Sequence, residues 1–267
     1  MKFSPAQEGT ANATMDRFVH TLVEASRAAG YHVLLFAGDE DPLSGYDELL
    51  RSTAVDAFVV TDTYLGNPQA AWLASRRAPF VAFGRPWHDA EATHPWVDVD
   101  GAAGTALATE HLLDRGHTRI GWVGWRKDSR IGEDRRSGWS RTLHRHDLPT
   151  AGSPHVEDTL ASGREAASVL LDQAEPTAFV CASGHPRHGG APRAVRPRAE
   201  PGRDVAVVGF DDSQVAQVVP FGLTSVRQPL EEVAVEIVAA LQGLLRTPPL
   251  RRAGVLLTPT LSVRGSS

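Results

Sequence analysis

The chain has 267 residues and a net charge of −5, with 42% hydrophobic and 22% charged residues, the profile of a globular protein long enough for two α/β domains. The acidic balance excludes a whole-chain basic excess of the nucleic-acid-binding kind. No apolar run approaches the ~20 residues of a membrane span, and the first residues carry no apolar signal-peptide core.

Met15, Phe18, Val19, Leu22 and Val23 recur at helical spacing and predict an amphipathic helix stopped at Gly30. YHVLLFAG, residues 31–38, predicts a buried strand ending at Asp39. A short helix (GYDELLRS), a strand (AFVVT), a helix (PQAAWLASR) and a strand (PFVAFG) follow, with connections short enough only for βα units. The alternation resumes with HPWVDVD, the helix AAGTALATEHLLDRG, the strand RIGWVG and a helix through DRRSGWSRTLHRH. HVEDT, GREAASVLLDQ, TAFVCAS, VAVVGF and LTSVRQ continue it. Leu230, Val233, Ile237, Leu241 and Leu244 mark a last amphipathic helix, and VLLTPTLSVR closes the chain as extended structure. Such alternation predicts parallel sheets flanked by helices in an α/β fold.

Cys181, the only cysteine, lies inside an apolar run. It excludes an internal disulfide, reads as a buried small hydrophobe, and fits a reducing, cytoplasmic setting. The scattered histidines show no metal-ligand spacing, and no nucleophile–base constellation or cofactor fingerprint points to an enzyme. No cofactor and no metal are expected. A two-lobed α/β protein binds its ligand between lobes, at the C-terminal ends of strands. Asp39, Asp62, Arg85, Asp211 and Gln228 are candidates by that position, with a helix cap or loop charge as the plain alternative for each.

The segments VDVDGAAGTALATEHLLDRGHTRIGWVG, DRRSGW, DVAVVGFDDS, LTSVRQPLEEVAVEIVAALQ and VLLTPTLSVRGS together resemble the LacI/GalR family of transcription regulators, specifically its effector-binding core, which is similar to periplasmic sugar-binding proteins. The resemblance implies a two-lobed periplasmic-binding-protein-like fold. The N-terminal lobe would hold 1–98 plus 229–253, and the C-terminal lobe 99–228 plus 254–267. The chain would cross between lobes near Asp98–Asp100, Gln228–Pro229 and Gly254–Val255, and ligand-driven closure about these hinges would shift dimer geometry. It implies that Arg135 and Asp211 hold the hydroxyls of a sugar or similar small polar effector, that Gln228 lines the pocket, and that Ser183 is the polar residue after its strand. Asp212 is expected at the surface or in a cap. A homodimer is implied, with operator DNA bound only through a helix-turn-helix headpiece that these residues do not contain. A solute-binding protein for transport is the rival reading.

Two departures from the family pattern stand out. Only Met1, Lys2 and Phe3 could represent the first strand of the N-terminal lobe, so that strand is expected to be truncated. Residues 184–201, GHPRHGGAPRAVRPRAEP, stand where a ligand-contacting turn and helix belong, yet they are written in proline, glycine and arginine and predict no regular helix. A high-GC coding of Asp-Thr-Leu-Ala-Met-Gly, shifted by one nucleotide, reads Gly-His-Pro-Arg-His-Gly, the letters from Gly184 to Gly189. The stretch therefore reads as a local frameshift. Its four arginines in a basic arm are the weaker reading, because the stretch joins two apolar strands rather than ending the chain. Sequencing the coding DNA across this stretch is expected to show the out-of-frame codons; unrelated codons in clean reads would remove the idea.

Overall fold

A computed structural model describes residues 2–3, 13–37, 41–61, 68–87, 92–125, 129–150, 155–156, 176–183, 205–219, 221–246 and 254–267. Asp39, Asp62, the helix expected over 163–173 and the stretch 184–201 lie outside these residues. In chain order the described elements are β1 (Lys2–Phe3), α1 (Ala13–Ala28), β2 (Phe36–Ala37), α2 (Ser44–Arg51), β3 (Phe58–Val60), α3 (Gln69–Ser75), β4 (Phe80–Phe83), β5 (Trp96–Val99), α4 (Gly101–Asp114), β6 (Ile120–Trp125), α5 (Arg130–Arg145), β7 (His155–Val156), β8 (Ala178–Cys181), β9 (Ala206–Phe210), α6 (Gln214–Val218), β10 (Thr224–Arg227), α7 (Leu230–Leu244), β11 (Val255–Leu257) and β12 (Thr260–Ser262). They divide into one unit of Met1–Val99 with Pro229–Leu257 and another of Asp100–Gln228 with Thr258–Ser267.

The apolar periodicity explains the first unit. β3, β4 and β5 pair in parallel and β11 adds to β5, giving the order β11-β5-β4-β3. Phe18 and Leu22 of α1 and Val233, Ile237 and Val238 of α7 bury against Val59, Val81 and Val97 of this sheet. α1 runs out at Gly30, whose φ of +85° is costly for any residue with a Cβ. The expectation for the chain's closing segment needs correction here. Residues 254–257 were expected in the C-terminal lobe, but Val255, Leu256 and Leu257 pair with Val97, Asp98 and Val99. Backbone ladder bonds thus tie β11 to the first unit, and the third crossing follows Leu257. The strand expected over 31–38 is also shorter than its apolar run. Among the described residues it is a ladder at Phe36–Ala37, against Lys2–Phe3, because a strand is only as long as the neighbour it pairs with.

The second unit carries a six-stranded sheet in the order β12-β10-β9-β8-β6-β7, parallel except for antiparallel β12. Its core is built on Trp122, Trp139, Ile120, Val180, Val208 and Phe210. The Trp122 and Trp139 rings meet tilted by 31°, their centres 6.0 Å apart, and the Trp139 indole N–H donates to the Ile120 carbonyl at 3.3 Å. Cys181 packs beside Val207 and Ala216. Although part of its surface stays accessible, the enclosing protein pushes its thiol up to about 12, so it stays protonated and inert at neutral pH.

Helices α4 and α5 lie in close backbone contact because glycine leaves room for it. A Cβ on Gly138 would fall 2.0 Å from the Ala102 carbonyl oxygen and 2.3 Å from Thr105 Oγ1, and one on Gly101 would fall 2.8 Å from Arg135 Cγ. The contact is fastened by hydrogen bonds from Thr105 Oγ1 to the Arg135 carbonyl and from the Ala102 amide to Asp134 Oδ2, the latter at 3.1 Å. The obstacle at Gly138 is backbone, which cannot swing aside. Gly138→Ala is therefore expected to cost about 1–3 kcal/mol of stability, lowering the urea midpoint with an unchanged m-value. An unchanged midpoint would show that the two helices separate freely.

Candidate functional site

The C-terminal ends of β6, β8, β9 and β10 in the second unit bring together most of the polar residues singled out in the sequence. Arg135 reaches this place from the second turn of α5. That helix starts at Ser129, whose side chain caps it by accepting from the Gly132 amide at 3.1 Å. The close α4–α5 packing then fixes where Arg135 stands. Arg135 is 7% exposed overall, and its guanidinium carbon lies over the Phe210 ring, 3.7 Å from its centre, with the Trp125 ring centre 5.0 Å away. Arg135 Nη1 donates to the Ala182 carbonyl at 2.6 Å, and Nη2 stands 3.8 Å from Asp211 Oδ1.

Asp211 follows β9 and is 8% exposed. Its Oδ1 accepts from Gln228 Nε2 at 2.5 Å, and Gln228 itself is buried at the end of β10. Both aspartates of the GFDD turn adopt the left-handed region, with φ of +83° at Asp211 and +46° at Asp212. For side chains other than glycine that conformation is uncommon and is held by its surroundings. The strained turn aims Asp211 toward Arg135 and Gln228 while sending Asp212 the other way. Asp212 is not at the surface, as the sequence suggested, but 7% exposed. It pairs with Arg264 at 2.6 Å and accepts from Ser262 Oγ at 3.0 Å, and its own amide donates to Ser225 Oγ at 3.0 Å. The second aspartate thus anchors β12 and its tail to the sheet.

Ser183 sits half-buried one residue beyond Ala182, the residue whose carbonyl holds Arg135. Arg85 belongs to the first unit, after β4. Its Nε donates to Asp98 Oδ2 at 2.7 Å, its amide donates to the same oxygen at 3.2 Å, and its guanidinium lies 3.9 Å from the Trp87 ring centre. Asp62 is outside the described residues. Arg135, Asp211 and Gln228 therefore form one hydrogen-bonding cluster, while Arg85 is part of a separate one. Sequence reasoning missed Phe210, Trp125 and the Ala182 carbonyl. Each lies at or just past the C-terminal end of a strand, which is the positional signal that could have found them.

Chemically, the cluster offers a planar cation, a carboxylate and an amide side by side on an aromatic wall. Such a set donates and accepts hydrogen bonds in a fixed plane. Among the described residues no group of histidine, cysteine and carboxylates could hold a metal ion.

Residues 109–267 match the family model described as a periplasmic binding protein-like domain. The HTH-type transcriptional regulator CelR of Thermobifida fusca is 30% identical over 250 residues, which is 89% of this chain and 71% of that protein. The chain belongs to the LacI/GalR family of transcription regulators. A LacI-family regulatory protein from Chloroflexus aggregans, known as a crystal structure, superposes with a TM-score of 0.89 at 34% identity, covering all of this chain and 96% of that one. A CelR–cellobiose complex superposes with a TM-score of 0.86 at 26% identity, covering all of this chain and 84% of that one. A dimeric lac repressor superposes at 0.80 with 19% identity and so shares the fold. The α/β architecture with parallel sheets is that of the LacI-type core. No helix among the described residues is long and apolar enough to cross a membrane.

Arg135 also supports the fold, since its guanidinium rests on Phe210 and bonds Ala182, so truncation to alanine would mix stability with binding. Milder changes separate them. Asp211→Asn suits the left-handed φ and keeps a hydrogen-bonding oxygen but removes the charge. Arg135→Lys keeps the charge but loses the flat fork. Each is expected to weaken effector binding by about 10- to 150-fold, the equivalent of losing one charge-assisted hydrogen bond. Titration calorimetry measures it; unchanged affinity in both would move the ligand elsewhere.

Proposed function

We propose that the chain is the effector-sensing and dimerising core of a transcription regulator, and that its effector is a small carbohydrate held in the C-terminal unit by Arg135, Asp211 and Gln228. The observation that carries this reading is the cluster itself: Asp211 within hydrogen-bonding reach of Gln228 and beside a guanidinium stacked on Phe210. A sugar presents a ring of hydroxyls that each donate and accept, and it presents apolar C–H faces. A carboxylate, an amide and a planar cation along an aromatic wall answer both. These groups contact one another, so a sugar is held by exchanging hydrogen bonds with them rather than by filling an apolar hole. Ser183, next to the Ala182 carbonyl, is a further contact in the same unit. The protein acts by binding, with no catalytic step, in the cytoplasm, where its operator lies.

The relatives support the class of effector. CelR is seen with cellobiose, and a ribose operon repressor of Escherichia coli (25% identical) and an arabinose metabolism repressor of Geobacillus stearothermophilus (27% identical) are among the similar proteins. These named regulators also weigh against the transport reading. Thermal shift with a panel of mono- and disaccharides, cellobiose, ribose and arabinose included, is the test. One sugar is expected to raise the midpoint in wild type, by RT ln(1 + [L]/Kd) in free energy, and to fail to do so in Asp211→Asn. A panel with no binding sugar, together with a shift from a nucleobase or amino acid, would overturn the carbohydrate assignment.

A further inference from the structure

The hydrogen-bonding cluster of the second unit is balanced in charge. Arg135 Nη2 and Asp211 Oδ1 face each other at 3.8 Å, and their side chains are only 9% and 6% exposed. The neighbouring carboxylate, Asp212, is matched separately by Arg264 at 2.6 Å. The remaining contacts are neutral: the Gln228 amide bonds Asp211, and the Ala182 carbonyl accepts from Arg135 Nη1. These described residues therefore supply one cation for each anion, and the place where a ligand would meet them carries no net charge.

Geometry decides how an anion would approach. The N–H groups of a guanidinium lie in its plane, and the Phe210 ring covers its face, the ring centre 3.7 Å from the guanidinium carbon. In that plane Nη1 is turned to the Ala182 carbonyl at 2.6 Å and Nη2 toward Asp211. The two-pronged grip by which arginine takes a carboxylate or phosphate is thus divided between a backbone oxygen and a carboxylate of the protein itself. An anion that reaches Nη2 stands beside Asp211, and like charges repel more strongly in a site removed from water. A hydroxyl meets no such obstacle. The separation of Nη2 and Oδ1 exceeds a hydrogen bond, so a hydroxyl between them accepts from the guanidinium and donates to the carboxylate. The pair that opposes an anion holds a neutral group from both ends.

We propose that Asp211 is the charge filter of this site: it restricts the effector to neutral sugars and turns away their uronates, phosphates and other anions. The proposal rests on the carbohydrate reading for the ligand's ring and adds the sign of its charge. Asparagine in place of Asp211 keeps the shape of the side chain and the left-handed backbone. It leaves Arg135 as a cation without its carboxylate beside the ligand. A neutral sugar then loses a strong acceptor, while an anionic sugar loses its repulsion, so the preference between them narrows or reverses.

The test sets neutral and anionic forms of one ring against each other on the 267-residue chain. The probes are glucose, glucuronamide and glucuronate, the matching galactose set, cellobiose beside cellobiouronate, and ribose beside ribose 5-phosphate. The amide has the shape of the uronate without its charge. By titration calorimetry, wild type is expected to bind the neutral form more tightly than the anionic form of the same sugar by roughly 100-fold or more. Asp211→Asn is expected to shrink that ratio about tenfold or more. An anionic form that binds wild type as well as its neutral partner would overturn the proposal, and so would a ratio that Asp211→Asn leaves unchanged. A second arm needs no sugar. Asp211→Gly suits the φ of +83° and vacates the place of the carboxylate. Formate, replacing chloride at equal ionic strength, is expected to raise the thermal midpoint of Asp211→Gly by binding there and to leave wild type unchanged. Equal shifts in both proteins, or none in either, would overturn the filter. A panel in which no neutral sugar binds wild type would end the carbohydrate reading instead, and the formate arm would still decide the filter.

Discussion

A buried guanidinium organises the second unit. Removing a charge from water costs several kcal/mol unless its surroundings replace the solvent, and Arg135 is surrounded accordingly: a carbonyl at 2.6 Å, a carboxylate oxygen at 3.8 Å and an aromatic face at 3.7 Å. These partners come from two neighbouring strand ends, and a third strand end holds one of them. The carbonyl follows β8, the carboxylate follows β9, and Gln228, which holds that carboxylate, follows β10. One side chain from α5 thereby ties three neighbouring strands together where they end. The same residues that satisfy the charge are the ones a polar ligand would address, so folding and recognition share one set of hydrogen bonds.

That arrangement rests on two backbone features. Glycine at 101 and 138 lets α4 and α5 come within backbone contact, which sets the height of Arg135 above the sheet. Left-handed backbone at Asp211 and Asp212 turns two adjacent carboxylates in opposite directions. One serves the cluster with Arg135 and Gln228, and the other binds Arg264 and Ser262 and holds the tail of the chain. Strain of this kind persists only where neighbours over-determine it, and both aspartates have such neighbours.

The first unit shows the opposite condition. Its core between α1, α7 and the β3–β5 strands is well filled, yet an apolar run of the same quality, residues 31–35, stays exposed beside a cavity. Hydrophobic side chains alone do not make a buried strand. The backbone amides and carbonyls need a partner on each side, and β1 supplies one for only two residues.

Much of this was legible in the letters. The helices from Met15 to Val23 and from Leu230 to Leu244, the strands at 178–181 and 206–210, and the family resemblance all follow from periodicity and local motifs, because these depend on neighbours along the chain. Arg135, Asp211 and Gln228 could be nominated because they lie at strand ends or in recognisable segments. The sequence could not say that Asp212 would be buried against Arg264, a residue far along the chain, nor that Phe210 and Trp125 would flank one guanidinium. It also could not place 255–257 with β5 rather than with the strand that follows at 260–262, since both segments are short and extended and differ only in which edge they meet. By itself the sequence determined the alternation of elements, the α/β class and the family, which are set by local propensity and pattern. The tertiary structure alone decided which edge each strand joins, which carboxylate faces the site, and where the apolar run after α1 remains uncovered, because pairing, burial and charge compensation are contacts between residues distant in the chain.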